Sequence, residues 1–183
     1  MWKENDMLNK VKLRIKSTVT DLILADRYLC LLSDGFFTAD DGKRYPEDKI
    51  NELSSEVIEY TCFGECSVND GKFTITYKEN PEIGYNNCIT TLVFTDDKRN
   101  SLILVREGDI STACKFDLSD KRQCCRYETP IMPFEFIVNT RSVHNTVNYD
   151  GGAILLDYNI EVRGVNTERN RLFIEVKRYD DGE

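Results

Sequence analysis

From Ser55 onward the chain alternates apolar and polar residues with a period of two, and short clusters of turn formers interrupt the alternation. Period two is the repeat of a strand whose faces see different surroundings. The run Phe73, Ile75, Tyr77 follows Asp70-Gly71, a favoured two-residue hairpin turn. Val11, Leu13 and Ile15 alternate with Lys12, Arg14 and Lys16, and 57–63 reads as a second strand. Further strands are expected at 88–95, 101–106, 111–117, 123–129, 134–145, 152–163 and 171–178, separated by "DDKRN", "EGD", "LSDKR", "YDGG" and "GVNTERN". No helix of crossover length lies between them, so the sheet is expected to be antiparallel. A meander of about ten strands removes its edges by closing. The expected fold is all-β: an up-and-down barrel of about 8–10 strands, with a sandwich as the alternative.

Residues 21–53 break the pattern and read as an insertion or lid between the first two strands of one domain spanning 1–183. "DLILADRYLCLLS" carries apolar residues at 22, 25, 29 and 32, a helical spacing that Asp21 can cap. "YPEDKINELS" reads as a short helix opened by Pro46 with acids in its first turn. Between them "DGFFTADDGK" reads as a loop with two adjacent phenylalanines. The tail "RYDDGE" is expected to fray.

Charge narrows the function classes. Lys and Arg total 24 against 32 for Asp and Glu, a formal charge of -8. Such a chain is repelled by phosphate backbones and anionic bilayers, so neither nucleic acid nor membrane is an expected partner. There is no apolar run of membrane-spanning length, no leader-like apolar stretch and no Asn-x-Ser/Thr sequon. Seven cysteines without a framework spacing point to free thiols and a cytoplasmic location.

No metal or cofactor signature is present, so the cofactor is left unknown. His144 is the only histidine, which removes two-histidine zinc sites, and it is expected at a rim or loop. Glycine loops for phosphates or dinucleotides and the Gly-x-Ser-x-Gly elbow are lacking. Cys62 and Cys66, four apart on a strand, stand roughly 13 Å apart, too far for one metal unless the strand bulges at Gly64. Cys125, in the inward register beside Cys124, is assigned to packing.

What remains is a set of polar residues in register with apolar faces: Tyr77, Glu79, Thr91, Arg106, Tyr127, Thr129, Thr140 and Tyr158. In a closed barrel many of them point inward. A buried carboxylate or guanidinium is costly unless paired, so Glu79 and Arg106 are expected to meet or to share tyrosine and threonine hydroxyls. The set is either a satisfied network that fixes strand register or a ligand-orienting cluster at the barrel mouth.

These residues fall in segments that resemble a known family. "GKFTITYKE", the pair Thr90-Thr91, "VREG", "YETP", "VNT" and "YDGGAILLDY" occur in the order and spacing of the YwiB-like proteins of Gram-positive bacteria. The resemblance implies a calycin-type, lipocalin-like barrel and no established activity. Two departures stand out. Ile131-Met132-Pro133 replaces the family's usual Tyr-Gly turn after Thr-Pro, and 21–53 is longer than the usual first hairpin.

Three functions compete. The first is binding of a small, partly apolar molecule, with Arg106 facing an anionic group if one is present and Phe36 and Phe37 closing the entrance. The second is an enzyme using Glu79, Arg106 and Tyr127 for acid–base chemistry. The third is a protein-interaction module, acting through the insert or as a homodimer, around a purely structural interior.

Overall fold

The structure, a computed structural model, describes residues 9–83 and 87–179. Ten strands form a closed antiparallel barrel: β1 (Asn9–Asp21), β4 (Ser55–Asn69), β5 (Lys72–Lys78), β6 (Ile89–Thr95), β7 (Lys98–Glu107), β8 (Ser111–Asp117), β9 (Arg122–Glu128), β10 (Phe134–Asn145), β11 (Gly151–Val162) and β12 (Val165–Arg178). Each strand from β4 to β12 pairs with its sequence neighbours, and β1 closes the ring between β12 and β4. The expected up-and-down barrel is therefore observed.

The turns follow local chemistry. Asp70-Gly71 and Arg163-Gly164 both adopt positive φ at each residue, as a two-residue hairpin turn requires. The second turn corrects the reading of "GVNTERN" as a connector, because β12 begins at Val165. Polar residues crowd both faces of its first turn-side half, which hides the alternation. Gly64 allows a close approach: a Cβ there would lie 2.5 Å from the Thr76 carbonyl oxygen and 3.0 Å from Tyr77 Cβ. β4 holds its register through this point without a bulge, so Cys62 and Cys66 are not drawn together.

The insertion leaves the barrel after β1 and returns at β4. Helix α1 (Leu22–Cys30) starts at Asp21, whose Oδ1 accepts the Leu24 N–H at 2.9 Å, as the cap expectation requires. The segment read as a loop is instead a hairpin, β2 (Phe36–Thr38) with β3 (Arg44–Pro46). A 3-10 turn (Glu47–Lys49) and α2 (Ile50–Leu53) follow Pro46. Phe37, Tyr28, Ala25, Ala39 and Ile50 form a small core of their own. The expected frayed tail falls largely on 180–183, outside the described residues.

The main core runs through the barrel on inward residues such as Leu13, Ile75, Leu92, Leu102, Ile154 and Ile174, all essentially inaccessible. One end is plugged. The Phe73 and Phe94 rings stack at 5.1 Å, Tyr149 packs on Phe73, and the Arg99 guanidinium covers both phenylalanines. Arg99 also donates to the Val147 carbonyl and pairs with Asp96. The other end, from which the insertion departs, is not filled in this way.

Candidate functional site

A cavity of about 420 Å³ occupies that second end. Its walls are mostly apolar: Ile15, Val19, Ile58, Leu104, Phe116, Phe134, Phe136, Ile160, Val162 and Leu172. Tyr60, Tyr77, Glu79, Arg106, Thr112, Tyr127, Tyr158 and Asn170 supply polar groups, and Glu168 also lines it.

Register explains how these polar groups come together. Gly64 pairs with Tyr77, Tyr77 with Thr90, Thr90 with Arg106, Arg106 with Thr112, Thr112 with Tyr127, and Tyr127 with Phe134. Paired residues share a face, so these seven make one inward belt crossing seven consecutive strands. A second row runs through Thr140, Tyr158, Asn170 and Val19. A belt of this kind is invisible in any single strand, because it depends on how each strand is offset from the next.

Glu79 lies just past the end of β5 and is 3% exposed. Its backbone N–H donates to the Cys88 carbonyl at 2.9 Å. Its Oε1 accepts from the Thr90 hydroxyl at 2.6 Å and from Arg106 Nη2 at 2.9 Å, and its Oε2 accepts from the Tyr60 hydroxyl at 2.6 Å. The carboxylate of this ion pair is buried and the guanidinium is partly buried beside the cavity. Burial, then Tyr77 and the Glu79 charge, hold the Tyr60 phenol well above its ordinary pKa. Burial and Glu79 do the same to Tyr77, opposed by Arg106. Both phenols are therefore kept neutral across ordinary pH.

Six of the eight residues expected inside are there: Tyr77, Glu79, Arg106, Tyr127 and Tyr158 line the cavity, and Thr140 is buried in the second row. Thr91 is a correction. It points outward, 3.2 Å from the Thr76 hydroxyl, while Thr90 points in. The segment Ile89–Phe94 carries apolar residues on both registers, and pairing with Tyr77 and Arg106 decides between them. Thr129 is the second correction. β9 ends at Glu128, and the Thr129 hydroxyl builds the following corner by accepting from the Ile131 and Met132 N–H groups and donating to the Met132 carbonyl at 3.0 Å. Phe36 and Phe37 do not close the cavity. Phe37 is consumed in the insertion's own core, Phe36 lies under Arg44, and no insertion residue lines the cavity among the described residues. His144 lies on the outer face of β10 rather than in a loop.

Tyr60, Thr112 and Asn170 were not expected. Tyr60 sits in "VIEYTCF", where apolar residues occupy both registers, and Val57 and Phe63 turn out to face solvent. Asn170 sits in the stretch read as a connector. Its Nδ2 and the Thr140 hydroxyl are buried without a protein partner among the described residues. Three or more metal-ligating side chains do not cluster anywhere among them.

Fold and cavity together define an up-and-down β-barrel closed at one end and hollow at the other. Within that class the chain belongs to the family described as Domain of unknown function (DUF1934), which matches residues 47–174. It is similar in fold to a solved structure, "Crystal structure of ywiB protein from Bacillus subtilis", with a TM-score of 0.64, 16% identity and 94% of each chain covered. The expected YwiB-like family is thus the one found. No curated protein matches the chain. No helix among the described residues is long and apolar enough to cross a membrane.

Proposed function

We propose that the hollow end of the barrel binds a small, partly apolar molecule. The observation that carries this reading is the cavity of about 420 Å³, within the usual range for ligand sites, with mostly apolar walls and a limited set of polar groups. The belt supplies hydroxyls and Arg106, which pairs with Glu79, and Asn170 lines the same space. Because Glu79 neutralises Arg106 and Glu168 adds a carboxylate, a neutral hydrogen-bond acceptor on the ligand is favoured over an anionic group. Calycin-type carriers share this architecture, which supports the reading by analogy alone. Seven free cysteines support a reducing, cytoplasmic setting.

Acid–base catalysis by Glu79 is less favoured, because both carboxylate oxygens already hold strong hydrogen bonds. Native mass spectrometry of freshly purified protein tests the binding reading. A bound molecule is expected in the wild type and depleted in Leu172→Trp, in which the indole intrudes on the cavity while circular dichroism shows an intact barrel. A wild type that carries nothing and binds neither a neutral nor an anionic environment-sensitive dye overturns it.

A further inference from the structure

β8 and β9 are adjacent in the barrel, yet their backbone ladder is confined to Ser111↔Glu128 and Thr112↔Tyr127, joined by a bond from the Thr112 hydroxyl to the Arg126 carbonyl at 3.0 Å, all at one end of the hairpin. Continuing that register inward sets Cys114 opposite Cys125. Both side chains face the interior and are buried. The two thiols are near enough to perturb each other's ionisation; the Thr112 hydroxyl lies 3.7 Å from Cys114 Sγ, and the Cys125 thiol donates to the Gln123 carbonyl at 3.9 Å.

Opposed Cβ atoms on antiparallel strands lie about 4.5–5.5 Å apart, and a disulfide needs about 3.5–4.5 Å. The strands must therefore close by on the order of 1 Å to bond. A hairpin held only at its far end can give by that amount. Cys114 also lines the cavity, so a small reagent can reach it without unfolding the barrel. We propose that Cys114 and Cys125 are a reversible dithiol–disulfide site in the barrel wall, oxidised by a low-molecular-weight disulfide that arrives through the cavity.

The step balances. The Cys114 thiolate attacks one sulfur of RSSR, forming a mixed disulfide and releasing RS⁻. That thiolate takes the proton of Cys125. The Cys125 thiolate then attacks Cys114 Sγ, expels the second RS⁻, which is protonated by water or buffer, and closes the protein disulfide. The proton lost from Cys114 at the outset returns the balance, so two protein thiols and RSSR give one protein disulfide and two RSH. Local chemistry favours Cys114 as the attacker. The neighbouring Cys125 thiol, then the Thr112 hydroxyl and the Arg106 charge, draw its thiol below the ordinary value against the opposing effect of burial. Cys62 and Cys66, in contrast, are pushed up to about 11 by burial. The site does not depend on what the cavity otherwise binds.

The test uses the full chain carrying Cys124→Ser, so that the peptide with Cys125 holds one thiol. The folded protein is treated with 2-hydroxyethyl disulfide, alkylated with N-ethylmaleimide, digested with trypsin and mapped by mass spectrometry. A disulfide joining the Cys114 and Cys125 peptides is expected, with the loss of two alkylatable thiols, both restored by reductant. In Cys125→Ser the reaction is expected to stop at a mixed disulfide on Cys114. Full alkylation of both cysteines after treatment, or a bond from either to a different cysteine, overturns the proposal. So does a folded Cys125→Ser protein that takes no adduct at Cys114.

Discussion

Replacing Arg106 with methionine removes the cation from a carboxylate that is 3% exposed. Breaking a buried pair by deleting one partner costs about 3–5 kcal/mol. Glu79 keeps its bonds from Tyr60 and Thr90, both at 2.6 Å, which places Arg106→Met at the low end, about 3 kcal/mol. Glu79→Gln leaves Arg106 beside the cavity, where water can reach it, and should cost about 1–3 kcal/mol. In the double variant the amide oxygen can still accept from one of the two hydroxyls while its NH2 donates to the other, and methionine replaces the arginine stem. Its loss should fall short of the sum by about 2 kcal/mol, within the range seen for contacting residues. Urea unfolding followed by circular dichroism reads all four proteins, with unchanged m-values showing that the transition itself is the same. By thermal melting, Arg106→Met should lose roughly 6–12 °C, at about 2–4 °C per kcal/mol for a chain of this size. Losses that add to within about 0.5 kcal/mol would show that the two residues are not energetic partners.

Gly64→Ala should destabilise by about 1–3 kcal/mol, because the new methyl meets the fixed Thr76 carbonyl and Tyr77 Cβ; a melt unchanged from wild type would show that β4 and β5 can separate freely there. The Asp117 carboxyl is held well below its ordinary pKa, chiefly by Lys98, with the Ser119 N–H and Lys115 adding to the effect. A depressed folded pKa gives stability that is present above the ordinary carboxylate range and lost as pH falls below it. Asp117→Asn should therefore flatten the acid limb of the stability profile, and an unaltered limb would contradict this. Tyr60 and Tyr77 are raised, so the unfolded chain gives up their protons first as pH rises beyond about 10. Stability should fall in that window, less steeply in Tyr60→Phe, and the ultraviolet signal of these two phenolates should appear only with unfolding.

The barrel was readable because its strands are separated by turns that announce themselves, such as Asp70-Gly71. Strand identity comes from local alternation, and β5 and the later part of β11 each show one apolar face. The interior polar set is most readable where a strand has such a face, as at Tyr77 and Tyr158; Arg106 shares the register of Leu102 and Leu104, although Ile103 and Val105 make the other register apolar too. Thr90 and Tyr60 were missed because "ITTLVF" and "VIEYTCF" offer apolar residues on both faces, leaving the neighbouring strands to decide the orientation. Asn170 was missed because the mouth end of β12 is polar throughout and resembles a loop. The cavity itself is a property of the closed ring, and no window of sequence contains it.

The closing seam joins β1 to β12 along their lengths, from Val11↔Arg178 to Asp21↔Glu168. The first and last strands of the meander are thus direct neighbours, although almost the whole chain separates them. The seam sets the order in which the ring can assemble. Hairpins from β4 to β12 can zip one after another at small loop cost, but β1 finds its second partner only after the rest of the sheet has curled round. Until then β12 is an open edge and the future cavity is a groove exposed along its side. Closure of this one seam turns a curved sheet into a container, and it should coincide with the slowest, least local step in folding.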